Sequence, residues 1–98
     1  MLSLILYISG DTSNSRRARD NFGVLLRQLT DTCEARIVDV RTDPYAAEEA
    51  RVIATPMLVL GNTDPPRRVI GDLSDLEGVL AYLELPSAPV DSTRSDTT

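Results

Sequence analysis

Four carboxylates in the middle of the chain have the right chemistry for acid–base catalysis or metal binding: Asp39, Asp43, Glu48 and Glu49. The chain contains no histidine, which removes the commonest general base and a frequent zinc ligand. Asp43 precedes Pro44, a pair typical of a helix start, and the two glutamates suit the exposed side of that helix. The sequence therefore predicts no catalytic residue, no metal site and no cofactor.

Cys33 is the one cysteine in the sequence, so an internal disulfide is excluded. It falls between the first predicted helix and the second predicted strand. A free cysteine ordinarily behaves as a small hydrophobic residue, and we predict no chemical role for it.

Apolar patterning predicts the elements that must position these residues. The nearly continuous apolar run over residues 2–8 is typical of a strand buried on both faces. Apolar residues at spacings of three and four from Ala18 to Leu29 predict an amphipathic helix, capped by Asn14 or Ser15. The remaining patterns predict strands at 35–40, 57–60 and 67–70, a helix at 45–52 that Arg51 ends, and a last helix opened by a capping box of Ser74 and Glu77.

The length of 98 residues suits a single domain, because a second hydrophobic core would not fit. We assign this domain to residues 1–86. Residues 87–98 are rich in Ser, Thr and Asp without apolar periodicity, and they predict a disordered tail.

The net charge is −5, and all ten cations are arginines. Whole-molecule attraction to nucleic acid or to an anionic membrane is therefore weak, and we predict neither as a partner. The sequence has no apolar run of about 20 residues and no basic leader before its first strand, so we expect no membrane segment and a cytoplasmic location.

The predicted order βαβαββα matches the α/β thioredoxin-like fold, and Thr55-Pro56 just ahead of the third strand strengthens the resemblance. In thioredoxin-like proteins this X–Pro bond is typically cis. Redox-active members carry cysteine in the loop after the first strand, whereas residues 11–15 here offer hydroxyls, whose pKa values are far too high for thiol–disulfide exchange. The sequence therefore predicts a binding protein rather than an enzyme.

A narrower resemblance is to the KaiB family of circadian-clock and clock-like proteins, and it spans residues 4–85. Ala-Thr-Pro followed at this distance by Arg-Arg-x-Ile-Gly-Asp-Leu-Ser is a specific combination. The segments that carry it are Leu6-Tyr7-Ile8-Ser9-Gly10, Thr12, Asn14-Ser15, Ala18, Val38-Asp39-Val40, Asp43-Pro44, Ala47-Glu48-Glu49, Ala54-Thr55-Pro56 and Arg67 to Ser74.

The resemblance implies a non-enzymatic protein that binds the hexameric ring of a KaiC-like ATPase in a clock, a timer or a stress response. It also implies competition there with a sensor histidine kinase domain and sequestration of a KaiA-type activator. Family members keep basic residues for partner contact at positions that correspond to Arg17, Arg36, Arg51 and Arg68. Arginine suits interfaces because it forms bidentate pairs with carboxylates.

The resemblance implies that clock members pass between this fold, in which they are monomeric and bind the ring, and a tetrameric ground state ordered βαββααβ, which is the alternative fold for this chain. They have a glycine and an aspartate where this chain has Tyr82 and Glu84, and both residues here are better helix formers. We therefore expect the last helix, and with it the thioredoxin-like state, to be favoured. Gly78 in the same helix acts against this. Monomer, dimer and tetramer all stay open.

Two other functions remain as alternatives. One is a glutaredoxin-like domain that binds glutathione or another thiol ligand, in which Thr55-Pro56 and Gly71-Asp72 hold the peptide. The other is a sensory domain related to the KaiC-binding domain of a clock histidine kinase.

Overall fold

A computed structural model describes residues 1–87 of the chain, and the predicted tail lies outside them from residue 88 onward. The order of elements is βαβαββα, which confirms the predicted order and differs from the alternative βαββααβ. The elements are β1 (Leu2–Ile8), α1 (Ser13–Gln28), β2 (Cys33–Asp39), α2 (Pro44–Glu49), β3 (Met57–Leu60), β4 (Arg67–Ile70) and α3 (Leu76–Leu83).

The four strands form one sheet in the order β2-β1-β3-β4. β1 pairs in parallel with β2 and antiparallel with β3, and β3 pairs antiparallel with β4. The apolar run of β1 fits this central place, because a strand with neighbours on both sides and helices over both faces has almost no solvent-facing position.

Two apolar clusters lie on opposite faces of the sheet. The larger one joins alternate residues of β1 to α1 and α3, and Phe22 of α1 is buried in it. The smaller one surrounds Tyr7 and Met57 and includes Ala46 of α2. Alternation along each strand therefore sends one set of side chains toward α1 and α3 and the other set toward α2.

The helix starts differ from the predicted caps. Thr12 caps α1, since its hydroxyl accepts a hydrogen bond from the Ser15 N–H at 3.2 Å. The buried Ser15 hydroxyl instead accepts from the Ser9 N–H at 3.0 Å. The predicted capping box of α3 is also wrong, because Asp75 is its cap and accepts from the Gly78 N–H at 3.1 Å.

Two helix ends also differ from prediction. α2 ends at Glu49, and Arg51 follows it in the left-handed region at φ 57° instead of ending the helix. α3 ends at Leu83, so Glu84 is its C-cap at φ 55° and not an interior helical residue. Both residues adopt a backbone conformation that helix propensity does not describe.

The chain leaves the last helix toward the C-terminal end of α1. The Thr30 N–H donates to the Pro86 carbonyl at 3.0 Å, and Ser87 forms an isolated bridge with Leu29. Among the helices in residues 1–87, none combines the length and the apolar character that crossing a membrane requires.

Candidate functional site

Two of the four predicted contact arginines share the sheet face that α2 covers in part. The strand register aligns Arg36, Ile5, Val59 and Arg68 in one row across β2, β1, β3 and β4. Neighbouring strands are about 4.8 Å apart, so the two arginine backbones are about 14 Å apart at the ends of this row. The row thus has an apolar centre and a cation at each end.

The third arginine, Arg51, directly follows the C-cap of α2, the helix that covers part of this face. A guanidinium nitrogen of Arg68, Nη1, donates to the carbonyl of Ala50 at 2.7 Å, directly before Arg51. Arg68 thereby links β4 to the end of α2, directly before Arg51. Within residues 1–87, no carboxylate oxygen lies within 4 Å of a guanidinium nitrogen of Arg36, Arg51 or Arg68.

Tyr7 reports the electrostatics of this face. Burial raises the pKa of its hydroxyl above the ordinary value, the positive charges of Arg36 and Arg68 act in the opposite direction, and the negative charge of Asp43 adds a smaller raising effect. Both guanidinium groups therefore contribute positive potential over the same part of the sheet. We call the surface formed by Arg36, Arg51 and Arg68 the arginine face.

The Thr55–Pro56 peptide bond, directly before β3, is cis. A recess of about 270 Å³ opens beside it, lined by Val40, Ala47, Val52, Ile53, Ala54 and Thr55. Ile53 at its rim is 83% exposed, and Tyr45 on nearby α2 is 70% exposed. Apolar side chains that are this exposed, beside arginines without a carboxylate partner, are typical of a protein-binding surface.

Neither Tyr45 nor Ile53 is singled out by the sequence as a site residue. Helix propensity accounted for Tyr45 as a member of the second helix, and Ile53 lay in a loop between two elements. The sequence signal for an exposed apolar residue is the isoleucine directly before Ala-Thr-Pro. An apolar loop residue that does not pack in the core faces solvent or a partner.

Arg17 lies apart from the other three. It is on α1, on the opposite layer, where Nη1 donates to Asn14 Oδ1 at 3.1 Å and lies 3.7 Å from an Asp72 carboxylate oxygen. Hydrogen bonds from the Ser74 hydroxyl and N–H hold the pKa of the Asp72 carboxyl below its usual value. Arg17 thus completes a local network around the turn at Gly71-Asp72.

The four carboxylates considered for chemistry do not form a site. Asp39 Oδ1 accepts from the N–H groups of Gly10 and Arg41 at 3.1 and 2.9 Å. Asp43 caps α2 by accepting from the Ala46 N–H. Within residues 1–87, no three His, Cys, Asp or Glu side chains are grouped closely enough to hold a metal ion.

Cys33 is the first residue of β2, where it is partly buried against the larger cluster, and not in the preceding loop. Burial raises the pKa of its thiol above the ordinary value. A raised thiol pKa leaves less thiolate at neutral pH, which disfavours nucleophilic chemistry at this position.

Acid is expected to destabilise the fold through Asp39. Hydrogen bonding from the Arg41 N–H, with a smaller contribution from that of Gly10, lowers the pKa of this carboxyl in the folded state. Its stabilising contribution is therefore complete above the unfolded-state pKa of about 3.9 and is lost as pH falls through the lower folded-state value.

Urea unfolding of the wild-type chain between about pH 2 and 6 should show a decline that is shallower in Asp39→Asn. Asp20→Asn, an exposed site on α1, is the control and should keep the wild-type profile. Equal declines in all three proteins would contradict the assignment.

A family model described as KaiB domain matches residues 5–85. This chain belongs to the KaiB family. Its relatives include the circadian clock oscillator protein KaiB of Prochlorococcus marinus strain MIT 9312, which is 41% identical over 83 residues, 84% of this chain and 79% of the relative. The KaiB of Gloeothece citriformis is 42% identical over 84% of this chain and 78% of its own length.

Solved structures show the same fold. Mitochondrial thioredoxin 3 of Saccharomyces cerevisiae superposes with a TM-score of 0.69 at 23% identity, covering 84% of this chain and 78% of the thioredoxin. The N-terminal domain of Synechococcus elongatus SasA gives 0.65 at 23% identity and covers 85% of this chain and 82% of that domain. The thioredoxin-like fold is thus confirmed, and membership of the KaiB family supports a clock role.

Proposed function

We propose that this chain is a non-catalytic adaptor that docks on the ring of a KaiC-type ATPase and modulates its phosphorylation and ATPase cycle. The observation that carries the proposal is the arginine face, on a domain whose relatives are named clock oscillator proteins. Under this proposal the chain works in the cytoplasm, in a circadian clock or a related timing or stress system.

The charge distribution indicates what kind of surface the partner presents. The chain has a net charge of −5, yet Arg36 and Arg68 on one sheet face and Arg51 after α2 have no carboxylate partner within 4 Å in the described residues. Arginine pairs with carboxylates through two parallel hydrogen bonds, and such pairs are strongest where water is excluded. An acidic surface with an apolar centre would satisfy both the guanidinium groups and the exposed Tyr45 and Ile53.

The proposal is tested by mixing the chain with a KaiC-type ATPase hexamer and nucleotide and following co-migration in size-exclusion chromatography. We expect the wild-type chain to co-migrate, and Arg51→Glu and Arg68→Glu to lose binding because each places a carboxylate against an acidic surface. Arg27→Glu, in the last turn of α1, is the matched charge reversal on the other layer and should bind normally.

Two results would contradict the proposal. One is a wild-type chain that fails to bind the ring under any nucleotide condition. The other is full binding by both Arg51→Glu and Arg68→Glu. Arg17→Glu tests how far the binding site extends, since normal binding by this variant would limit the site to the arginine face.

Competition is part of the same proposal. The SasA N-terminal domain shares the fold at a similar size, and a histidine kinase domain of this shape would compete for the ring. Adding an excess of such a domain should displace the chain from the ATPase. A KaiA-type activator, where the host has one, should join the ring-bound complex instead of displacing the chain.

A ligand-binding function is the second candidate, and one contact favours it. The Gly71 N–H donates to the Pro56 carbonyl at 2.9 Å, so the two motifs that hold peptide in glutaredoxin-like domains adjoin here. Millimolar glutathione should then raise the melting temperature of the wild-type chain. An unchanged melting temperature would exclude this function.

A further inference from the structure

A groove runs between β4 and α3, on the side of the sheet that faces away from α2. One recess of about 350 Å³ is lined by Val69, Val79 and Tyr82, among others. A second recess of about 370 Å³ is lined by Tyr82, Pro65 and Pro66, among others. Because Tyr82 borders both recesses, they form one groove, and each volume is within the range of pockets that hold small molecules.

The walls of this groove offer an open apolar surface. Val79 is buried, and Val69 packs against the larger cluster. Tyr82 is 60% exposed although it borders the groove. Gly78 lies four residues before Tyr82 on the same side of α3, and it has no side chain to cover the tyrosine ring. A planar apolar molecule can therefore stack on this ring.

One end of the groove carries a cation with donors to spare. Arg67 Nη1 donates to the Tyr82 carbonyl at 3.3 Å and lies 3.5 Å from a Glu84 carboxylate oxygen. A guanidinium has five N–H donors in a planar fork, and the contacts found within residues 1–87 engage one nitrogen of Arg67. The Glu84 side chain is 74% exposed, so its ion pair with Arg67 is weak. Arg67 is thus able to bind a ligand carboxylate.

The other end of the groove carries an acceptor. Asp75 lines it and caps the start of α3, where Oδ1 accepts from the Gly78 N–H at 3.1 Å. Among the hydrogen bonds and ion pairs of residues 1–87, none engages Asp75 Oδ2, which is left to accept from a ligand. Asp75 and Tyr82 are about 10 Å apart along the helix axis, at about 1.5 Å per residue. A ligand that reaches both ends is therefore elongated.

Two more carboxylates limit the charge of the ligand. Glu84 pairs with Arg67, and Asp64 lines the recess at the same end. A phosphate dianion would be repelled by both carboxylates, because like charges at close range are unfavourable. A single carboxylate instead exchanges with Glu84 on Arg67. The charges therefore favour a monoanion over a nucleotide.

We propose that the groove between β4 and α3 binds an elongated aromatic acid, with its carboxylate on Arg67, its ring against Tyr82 and a hydroxyl donated to Asp75. The site is separate from the arginine face. Arg68 also borders the groove, but its Nη1 is bonded to the Ala50 carbonyl at the end of α2. A ligand in the groove leaves that contact in place, and its binding does not depend on docking to an ATPase ring.

Para-coumarate tests the proposal, because it has a carboxylate, a planar ring and a hydroxyl at the opposite end. Titrated into the isotopically labelled full chain, it should shift the amide signals of β4 and α3 saturably at millimolar concentration and raise the melting temperature. Cinnamate lacks the hydroxyl and should bind about tenfold more weakly, since it leaves Asp75 without a donor. Adenosine monophosphate, a dianion, should not shift these signals.

Three substitutions separate the contacts. Arg67→Gln should weaken para-coumarate binding by about tenfold or more, because it removes the charged donor. Tyr82→Leu keeps a good helix former but loses the ring, and it should also bind more weakly. Glu84→Gln should bind more tightly than the wild-type chain, because it removes the carboxylate that competes for Arg67. Arg27→Gln, the same loss of charge at an exposed site on α1, is the control and should bind normally.

Three outcomes would overturn the proposal. The first is the absence of saturable shifts in β4 and α3 with para-coumarate, or shifts centred instead on the recess beside Thr55. The second is equal affinity in the wild-type chain, Arg67→Gln and Tyr82→Leu, each shown to be folded by its urea transition. The third is tighter binding of adenosine monophosphate than of para-coumarate, which would contradict the charge assigned to the ligand.

Discussion

Replacing Phe22 with alanine is expected to lower the free energy of unfolding by about 3 to 5 kcal/mol. Phe22 is 2% exposed and belongs to the cluster that joins α1 to the sheet. The substitution removes the buried ring and leaves a cavity that the neighbouring leucines fill only in part. Since 1 kcal/mol moves the melting temperature of a domain this size by about 4 to 8 °C, a decrease above about 10 °C should be seen by calorimetry.

Ile53→Ala is the matched control for this substitution. It also truncates a large apolar side chain, but Ile53 is 83% exposed, so the change should stay within about 0.5 kcal/mol. Equal losses in the two variants would mean that α1 does not pack on the sheet through Phe22. Urea unfolding followed by circular dichroism gives both values from the same preparation.

The elements with strong apolar patterns could be predicted from the sequence with accurate bounds. Residues 2–8, 57–60 and 67–70 are strands as predicted, because each is an apolar or β-branched run between turn residues. α1 was identified through the recurrence of Ala18, Phe22 and Leu25, all of which are buried. These signals are local, and packing in this fold reinforces them.

Helix ends could not be predicted, because they depend on contacts between distant segments. Ser15 has the residue type of a cap, but its hydroxyl is engaged by the Ser9 N–H at the end of β1. Thr12 takes the capping role instead. Arg51 follows a run of helix formers, yet α2 has already ended, and the bond from Arg68 to the Ala50 carbonyl holds that end against β4.

The candidate site was predictable as a set of residue types but not as a surface. Arg36 and Arg68 face the same way only because the register of three strand pairs aligns them, and no local pattern encodes that register. Arg17 has the same chemistry and lies on the other layer with Asp72. The exposure of Tyr45 on α2 and of Ile53 between α2 and β3 likewise depends on tertiary packing, since neither side chain enters one of the two apolar clusters.

We expect α3 to decide the balance between the two fold orders, and here the structure changes the expectation from sequence. Tyr82 is within α3, so its helix propensity stabilises this helix as expected. Glu84 is the left-handed C-cap, where a non-glycine residue costs about 1 to 2 kcal/mol. The Asp75 carboxylate that caps α3 accounts for the glycine at position 78, because a Cβ there would overlap this carboxylate.

Tyr82→Gly and Glu84→Gly are therefore expected to act in opposite directions. The first should destabilise the thioredoxin-like state by about 0.5 to 1 kcal/mol through helix propensity. The second should stabilise it by about 1 kcal/mol, because glycine adopts the left-handed cap freely, and the exposed ion pair between Glu84 and Arg67 contributes less than that. Urea unfolding of each variant measures these changes.

The same two variants should move the fold-order equilibrium, because a change of about 1.4 kcal/mol alters a population ratio tenfold. Backbone amide assignments of Arg67–Ile70 distinguish the orders, since this segment is a strand in the thioredoxin-like state and is expected to be a helix in the alternative. Helical signals should grow in Tyr82→Gly and be weakest in Glu84→Gly. Helical signals in Glu84→Gly above the wild-type level would show that the left-handed cap does not oppose the thioredoxin-like state, and helical signals in Tyr82→Gly at the wild-type level would show that Tyr82 does not decide the balance.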